Sequence, residues 1–178
     1  QAYAVSGGGA AAIFDNSGHL NGRFLWGGSL TNTGTLTIKD NSTLAAPTTN
    51  GTPALSNANN GFVSSGTINI AVTGKTTRGT NYSSITTTTS NLSGTINVDV
   101  GASAGLVAGD VLTLVDGSSA ATLGSVTIID NSSDISFSIR VASNGQDIEL
   151  VVIADESTAI SDPTKKADVM GNIQATSN

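Results

Sequence analysis

The chain contains no cysteine, one histidine and three prolines among 178 residues. Without cysteine no disulfide can form, so core packing and backbone hydrogen bonds must hold the fold. One histidine and no cysteine also disfavour zinc. A serine hydrolase would depend on His19 alone, and the neighbouring Asp15 and Ser17 lie in a turn-like segment without a nucleophile or oxyanion motif. We therefore predict a non-enzymatic protein with no catalytic residue, bound metal or cofactor.

Charged residues are scarce as well, at 11% of the chain, against about a quarter in ordinary globular proteins. Four basic residues face two acidic ones before Asp99, which gives +2, whereas three face eleven from Asp99 onward, which gives −8. An acidic surface that is poor in lysine repels phosphate backbones. Nucleic acid is therefore not an expected partner.

Long apolar runs are absent too. No stretch reaches the 18 apolar residues of a membrane helix, and Gln1 opens no charged leader before an apolar run. We expect either that a leader has been removed or that the sequence is an excerpt. The aliphatic residues are nevertheless too regularly spaced for a disordered chain.

The segment from Tyr82 to Val115 carries this spacing most clearly. Apolar residues from Ile96 to Val100 alternate with Thr95, Asn97 and Asp99, which is the period of a strand with one buried face. Leu112 and Leu114 repeat the pattern. Gly101 to Asp110 is small, polar and glycine-containing, and predicts a turn.

A Gly-Thr phrase recurs along the chain. Its copies are Gly34-Thr35-Leu36-Thr37-Ile38, Gly66-Thr67-Ile68-Asn69-Ile70 and Gly94-Thr95-Ile96-Asn97-Val98, with a looser fourth, Gly124-Ser125-Val126-Thr127-Ile128. The separations are 32, 28 and 30 residues. Such units are too small to bury their own apolar faces and must stack, which predicts a solenoid. The segments 47–53 and 56–61 are interpreted as loop excursions from that stack.

The last third predicts antiparallel strands. Three alternating runs begin at Val126, Ile135 and Ile148, and the second joint, 143–146, contains Asn-Gly, which favours a tight hairpin. Such a hairpin would cover the last exposed strand edge of a stack.

These patterns divide the chain into four parts. Residues 1–29 are expected to be an irregular lead-in or end cap, with Trp26 closing the core. Residues 30–81 are expected to be β-helix rungs with loop excursions, and 82–153 to be C-terminal rungs with a capping hairpin. Residues 154–178 are expected to be a linker. Ser161-Asp162-Pro163 and the spacing of Val169, Met170 and Ile173 leave two alternatives for the linker, a short helix or an unstructured tail.

Several of these residues together resemble the C-terminal end of bacterial autotransporter passenger domains, which are type V secreted proteins. The resemblance covers 82–153 well and 30–75 loosely. It rests on Tyr82-x-x-Ile85, Leu92-x-Gly94-Thr95-Ile96-x-Val98, Ala108-Gly109-Asp110-x-Leu112-Thr113-Leu114, Gly124, Phe137 and Ile148-x-Leu150. It implies an all-β chain folded as a right-handed parallel β-helix, a solenoid, with a C-terminal antiparallel capping hairpin.

The resemblance also implies a function. Such a segment is a stem with autochaperone-like activity: it emerges first across the outer membrane and templates the folding of the chain behind it, supporting a surface-exposed adhesin used in virulence. The implied partner is the protein's own C-terminal β-barrel translocator, which is absent from this chain; the implied location is the bacterial cell surface, outer membrane-associated or secreted. The folding nucleus would comprise Ile96, Val98, Val100, Leu112, Leu114, Phe137 and Leu150.

Two other functions remain open at this point. One is a direct adhesion or self-association module whose Thr, Asn and Ser residues bind glycan, a host surface or another copy. The run Thr86–Thr89 is a candidate exposed face for this role, although β-branched threonine also simply favours strands. The other is a β-helical carbohydrate-active enzyme or phage spike.

Asp130–Asp134 offers calcium ligands, but it lacks the known calcium-loop patterns and is interpreted as a polar turn.

Overall fold

The computed structural model describes residues 5–9, 11–22, 24–40, 52–53, 55–58 and 60–154. Within these ranges the chain consists of β-strands and turns, with no helix, which confirms the all-β prediction. The strands are β1 Val5–Gly7, β2 Ile13–Asn16, β3 His19–Asn21, β4 Phe24–Trp26, β5 Ser29–Asn32, β6 Thr35–Asp40, β7 Thr52–Pro53, β8 Leu55–Ala58, β9 Gly61–Ser64, β10 Thr67–Val72, β11 Ser84–Thr87, β12 Ser90–Val100, β13 Val111–Gly117, β14 Ala121–Asp130, β15 Ile135–Val141 and β16 Ile148–Ala154.

Most strands belong to three parallel ladders. The first ladder runs β1-β4-β8-β11-β13. The second runs β2-β5-β9, then the start of β12 and of β14. The third runs β3-β6-β10, then the remainder of β12 and of β14. The chain therefore visits each ladder in turn and places each new strand beside its predecessor.

The core lies between these ladders because alternate residues of every strand point inward. On the third ladder Leu36, Ile68 and Ile96 are each fully buried in the same column. Ile85 and Val115 are equally buried neighbours on the first ladder. All five belong to one hydrophobic cluster that extends along the whole stack of strands.

The first three copies of the Gly-Thr phrase align as the repeat predicts. Thr67 pairs with Thr35 on one side and with Thr95 on the other. The fourth copy differs from the expected alignment. Gly94 pairs with Val126 rather than Gly124. The offset between β12 and β14 is already 31 residues where Leu92 pairs with Leu123, and one additional residue of β14 at the corner between the second and third ladders raises it to 32. The register is displaced by two residues, so inward positions remain inward.

Glycine forms that corner in the earlier copies. A Cβ atom added to Gly34, Gly66 or Gly94 would lie only 2.2, 2.2 and 2.3 Å from the carbonyl oxygen of the preceding corner glycine. The backbone amide that follows each glycine donates to that same carbonyl, as in Thr67 N to Gly34 O at 2.8 Å. Only glycine permits an approach this close.

Polar side chains fill the inside of the same corner. Asn16 Nδ2 donates to Asn32 Oδ1 at 2.7 Å, and Asn32 Nδ2 donates to Ser64 Oγ at 3.0 Å. Asn32 is completely buried. Asn32 Nδ2 also contacts the Thr67 carbonyl oxygen at 3.3 Å, so the buried amide satisfies backbone groups where the chain turns.

An antiparallel hairpin closes the first ladder, as predicted. β16 pairs with β13 and β15 pairs with β16, both antiparallel, with Leu112 opposite Leu150. Gly145 adopts φ +72° in the joint, which matches the Asn-Gly signal. β14 ends the other two ladders: among the described residues no strand pairs with its outer edge.

The observed strands differ from two expected boundaries. Within the expected lead-in 1–29, the described residues contain β1 to β4, which pair within the ladders although they lack the Gly-Thr phrase. Part of the expected excursion at 56–61 is strand β8, which pairs with β4 and β11. Most of the excursion 47–53 and nearly all of the linker 154–178 lie outside the described residues.

Corner packing generates the first prediction. Gly66→Ala should lower the free energy of unfolding by about 1 to 3 kcal/mol, because the new methyl group collides with the Gly34 carbonyl. Gly18→Ala is the matched control. We call each set of strands that passes once through the three ladders a strand triplet; Gly18 is the corner glycine of the first triplet, β1 to β3, and a Cβ atom there meets nothing within 4 Å. Urea unfolding of both variants measures the difference. Equal stabilities would contradict the packing argument.

Candidate binding face

The outward residues of the third ladder form a mainly polar surface, flanked by His19 and Asn21 on β3 and by Asp99 on β12. We call it the polar face and define it by Thr35, Thr37, Thr67, Asn69, Thr95 and Asn97, with Thr127 and Ile129 following on β14. These eight residues form two columns because outward positions recur every second residue along each strand. The parallel register then places like residues side by side, at about 4.8 Å from strand to strand.

The amides of the second column are held in place by one another. Asn97 Nδ2 donates to Asn69 Oδ1 at 2.7 Å, and Asn69 Nδ2 donates to Thr37 Oγ1 at 2.8 Å. An asparagine amide carries two N–H donors, and each of these two hydrogen bonds uses one of them. Each of the two asparagines therefore keeps one further N–H. The column therefore presents oriented donors on a rigid sheet.

A groove of about 380 Å³ lies beside this column. We call it the amide groove. Asn69, Asn97, Asp99, Ile129, Asp130 and Asn131 contribute to its lining. Asn131 Nδ2 donates to Asp99 Oδ1 at 3.0 Å, and Val100 N donates to Asn131 Oδ1 at 2.7 Å. Hydrogen bonds thus orient the polar residues on both sides of the groove.

Two of the basic side chains lie away from this groove. Lys75 and Arg78 belong to the loop between β10 and β11, where Lys75 pairs with Asp110 at 2.8 Å and Arg78 pairs with Asp116. Asp110 directly precedes β13, and Asp116 lies near the end of that strand. The loop is therefore attached to the first ladder.

The sequence candidates for chemistry are not brought together. His19, Asp15 and Ser17 are all exposed around the turn between β2 and β3. The described residues contain no group of three or more His, Cys, Asp and Glu side chains arranged to hold a metal ion. The same residues include no helix that is long and apolar enough to cross a membrane.

The segment from Asp130 to Asp134 forms a polar turn, as its sequence predicts. Asp130 Oδ1 accepts from the backbone N–H of Ser132 at 3.0 Å. Ser132 Oγ accepts from the backbone N–H groups of Asp134 and Ile135, both at 3.3 Å. These side-chain oxygens satisfy the backbone of the turn itself, as Asx and Ser turns do.

The run Thr86–Thr89 is exposed only in part: Thr89 is exposed, whereas Thr86 and Thr88 are partly buried. Thr87 points inward and is 4% exposed, and its hydroxyl donates to the Thr89 carbonyl at 3.0 Å. A larger array of outward Thr and Asn side chains, also partly buried, lies on the third ladder. Aligning the Gly-Thr phrases would have found it, because Thr35, Thr67 and Thr95 occupy one position of the phrase and Asn69 and Asn97 another.

The proposed folding-nucleus residues lie in one core. Val100 is partly buried against it, whereas the other members are buried. Those members are Ile96, Val98, Leu112, Leu114, Phe137 and Leu150. The cluster joins the third ladder to the first ladder and the hairpin, which no pattern within one strand could have predicted.

No family model, curated protein or solved structure matches the chain. The resemblance to autotransporter passengers therefore remains an expectation from the quoted motifs. Arguments about function depend on the ladders, the core and the polar face described above.

The Lys75–Asp110 pair generates a prediction about pH. Hydrogen bonds from Lys75 and from the Val107 N–H lower the pKa of Asp110 below its ordinary value. The ionised carboxylate therefore stabilises the fold above the unfolded pKa, and this contribution disappears as the pH falls through the lower, folded pKa. Lys75→Met should raise the pKa of Asp110, measured by NMR titration of its carboxyl carbon.

Arg140→Met is the control for this titration. It removes a different ion pair, in which Arg140 Nε lies 2.8 Å from Glu149 Oε2. The pKa of Asp110 should stay unchanged in this variant. An unchanged Asp110 titration in the Lys75→Met variant would show that the ion pair does not form in solution.

Proposed function

We propose that the chain is a right-handed parallel β-helix that serves as the C-terminal stem of a bacterial autotransporter passenger. In this role it templates the folding of the chain behind it during secretion across the outer membrane. Its partner is the β-barrel translocator of the same protein, and its location is the bacterial cell surface. The observation that carries the proposal is the continuous core shared by three parallel ladders and a terminal antiparallel hairpin.

The order of strands supports the β-helix. Each strand triplet passes once through all three ladders before the next begins, and each ladder grows in chain order. Connections between parallel strands are right-handed in nearly all proteins, which supports the proposed hand. A stack built in this way gains ladder hydrogen bonds and apolar contacts with every added triplet.

The hairpin supports the template role. It connects chain-distant residues: Leu112 on β13 faces Leu150 on β16, 38 residues later in the sequence. Phe137 on β15 is buried in the same cluster, opposite Val152. The C-terminal strands therefore contribute buried residues of their own to the one core, onto which preceding triplets can add. Progressive addition on the outer side of the membrane would bias export without ATP.

This proposal predicts a defect in display. Leu112→Asn combined with Leu114→Asn should abolish surface exposure of the full-length protein while its synthesis continues. Both leucines are 1% exposed, and losing such a side chain costs about 2 to 5 kcal/mol even before an amide is buried in its place. Antibody labelling of intact bacteria measures display, and immunoblotting of whole cells measures synthesis.

The matched control places the same residue type at outward positions of the same strand. Val111→Asn with Thr113→Asn should leave display intact, since Val111 is 41% exposed and Thr113 is only partly buried. Normal display of the Leu112→Asn/Leu114→Asn protein would refute the template role.

The polar face favours a second function, direct adhesion. Threonine and asparagine side chains in register offer many hydrogen-bonding groups on one flat surface, and Asn69 and Asn97 are already oriented by their own ladder. Ordered polar groups lose little entropy on binding, so they bind more tightly than mobile ones. This role uses outward residues only and is compatible with the stem.

Adhesion through the polar face is tested by a charge placed on it. Thr95→Arg should reduce adhesion of bacteria to each other or to a host surface at least severalfold, because the guanidinium must be desolvated on contact. Thr122→Arg is the control: Thr122 is exposed on the second ladder, outside the polar face. Both variants are compared at equal display. Equal adhesion by the two variants would contradict this function.

A further inference from the structure

We propose that the outer edge of the C-terminal hairpin pairs with the same edge of a second copy of this chain, which gives a symmetric dimer. We call this edge the hairpin edge and define it by strand β15, Ile135–Val141. The hairpin covers β13, but among the described residues no strand pairs with the other side of β15. The polar face lies elsewhere, on the third ladder, so the dimer is independent of the adhesive role.

Backbone groups of alternate residues face the free side of β15. At the hairpin tip Ala142 N donates to Asp147 O at 2.9 Å, across the hairpin. In an antiparallel pair the residues of a strand alternate between bonding to the partner strand and pointing away from it. Phe137, Ile139 and Val141 therefore direct their N–H and C=O groups away from β16, toward the hairpin edge.

The side-chain pattern of β15 is the same in both directions along the strand. Apolar residues occupy positions 135, 137, 139 and 141 on the inward side, and Ser138 is central on the outward side. A twofold interface uses one patch twice and must therefore be complementary to itself. An axis through Ser138 pairs all seven residues of β15, with Phe137 opposite the partner's Ile139. It joins the two seven-stranded sheets into one.

Dimer formation buries apolar surface that a single copy leaves uncovered. Phe137 is only 7% exposed, whereas Ile135 and Ile139 are partly buried against the core. A second strand beside β15 covers these two isoleucines further and removes apolar surface from water. Pairing of the seven residues also adds about six backbone hydrogen bonds.

The hairpin edge lacks the features that keep natural edge strands apart. Proline, lysine, an inward charge or a β-bulge usually serves this purpose. Strand β15 has none of these: its pairing with β16 shows no register shift, and its one charged residue, Arg140, is exposed. Arg140 pairs with Glu149 at 2.8 Å in its own chain. The axis places it opposite Ser136 of the partner subunit, so no like charges oppose each other.

The free edge of β14 is less accessible to a second copy. The hairpin extends the first ladder by two strands, about 10 Å, beyond β13, whereas β14 belongs to the same strand triplet as β13. A second copy that approaches this end of the stack therefore meets β15 first. A single strand pair is a small contact, so we expect a weak dimer that depends on concentration.

Sedimentation velocity of the purified chain tests the proposal. The sedimentation coefficient should rise with protein concentration toward that of a dimer of the 17.7 kDa chain. Ser138→Lys should raise the dissociation constant by about tenfold or more, because the axis places two ammonium groups opposite each other. Ser125→Lys is the matched control: Ser125 is also exposed but lies on β14. This variant should dimerise as the unchanged chain does.

Cross-linking locates the contact independently. The chain contains no cysteine, so Ser138→Cys introduces one thiol per copy. At the twofold axis these residues form a pair without mutual backbone hydrogen bonds, whose Cα atoms are about 4.5 Å apart, within the range of a disulfide. Oxidised glutathione accepts the two electrons and two protons of the thiols. We expect a covalent dimer on a non-reducing gel, and mainly monomer from Ser125→Cys under the same conditions.

The proposal is overturned if the sedimentation coefficient does not change with concentration, if Ser138→Lys dimerises as tightly as Ser125→Lys, or if the two cysteine variants cross-link equally. Weakening by Ser125→Lys alone would place the contact on β14 instead, and growth beyond a dimer would exclude a closed twofold contact. Circular dichroism checks that each variant is folded. The stem and adhesive roles have separate readouts, surface display and cell adhesion, so a monomeric chain refutes the dimer without refuting either role.

Discussion

The close backbone contact at the glycine corner is the constraint on which the rest of the structure depends. At Gly34, Gly66 and Gly94 each strand triplet lies directly on the one before it, and the following amide donates across the contact at 2.7 to 3.0 Å. A side chain there would separate the triplets and lengthen the hydrogen bonds of the second and third ladders nearby. Glycine is therefore required by the approach of two backbones, and at Gly34 and Gly66 not by an unusual φ angle.

A fixed corner fixes the register of the strands that leave it. Since side chains alternate across a strand, register decides at once which residues enter the core and which reach water. The fixed corner also explains why asparagine amides are buried on its inner side. Asn16 Nδ2 donates to the Thr35 carbonyl at 3.1 Å, where the chain turns from β5 into β6. Asn32 Nδ2 donates in the same way to the Thr67 carbonyl at 3.3 Å, where the chain turns from β9 into β10. Buried polarity here satisfies the turn.

The sequence predicted the strands and turns that have a clear residue pattern of their own. It missed the features that depend on which strands pair and in which register. The Gly-Thr phrases predicted the pairing of Thr35, Thr67 and Thr95, and Asn144-Gly145 predicted the hairpin. β1 to β4 were missed because strands of three or four residues are too short to show alternation. Ile129 could not be placed beside Asn97, since the phrases put Thr127 there; one additional residue at the corner of β14 shifts the register.

Inward and outward roles are separable because they use alternate residues of the same strand. In β12, Ile96 and Val98 are buried while Asn97 faces outward between them. Substitutions on the polar face can therefore change recognition without creating cavities in the core. The core in turn keeps the outward amides at a fixed spacing, which reduces the entropy lost on binding. The rigidity that the proposed template role requires is therefore the same rigidity that the proposed adhesive surface would need.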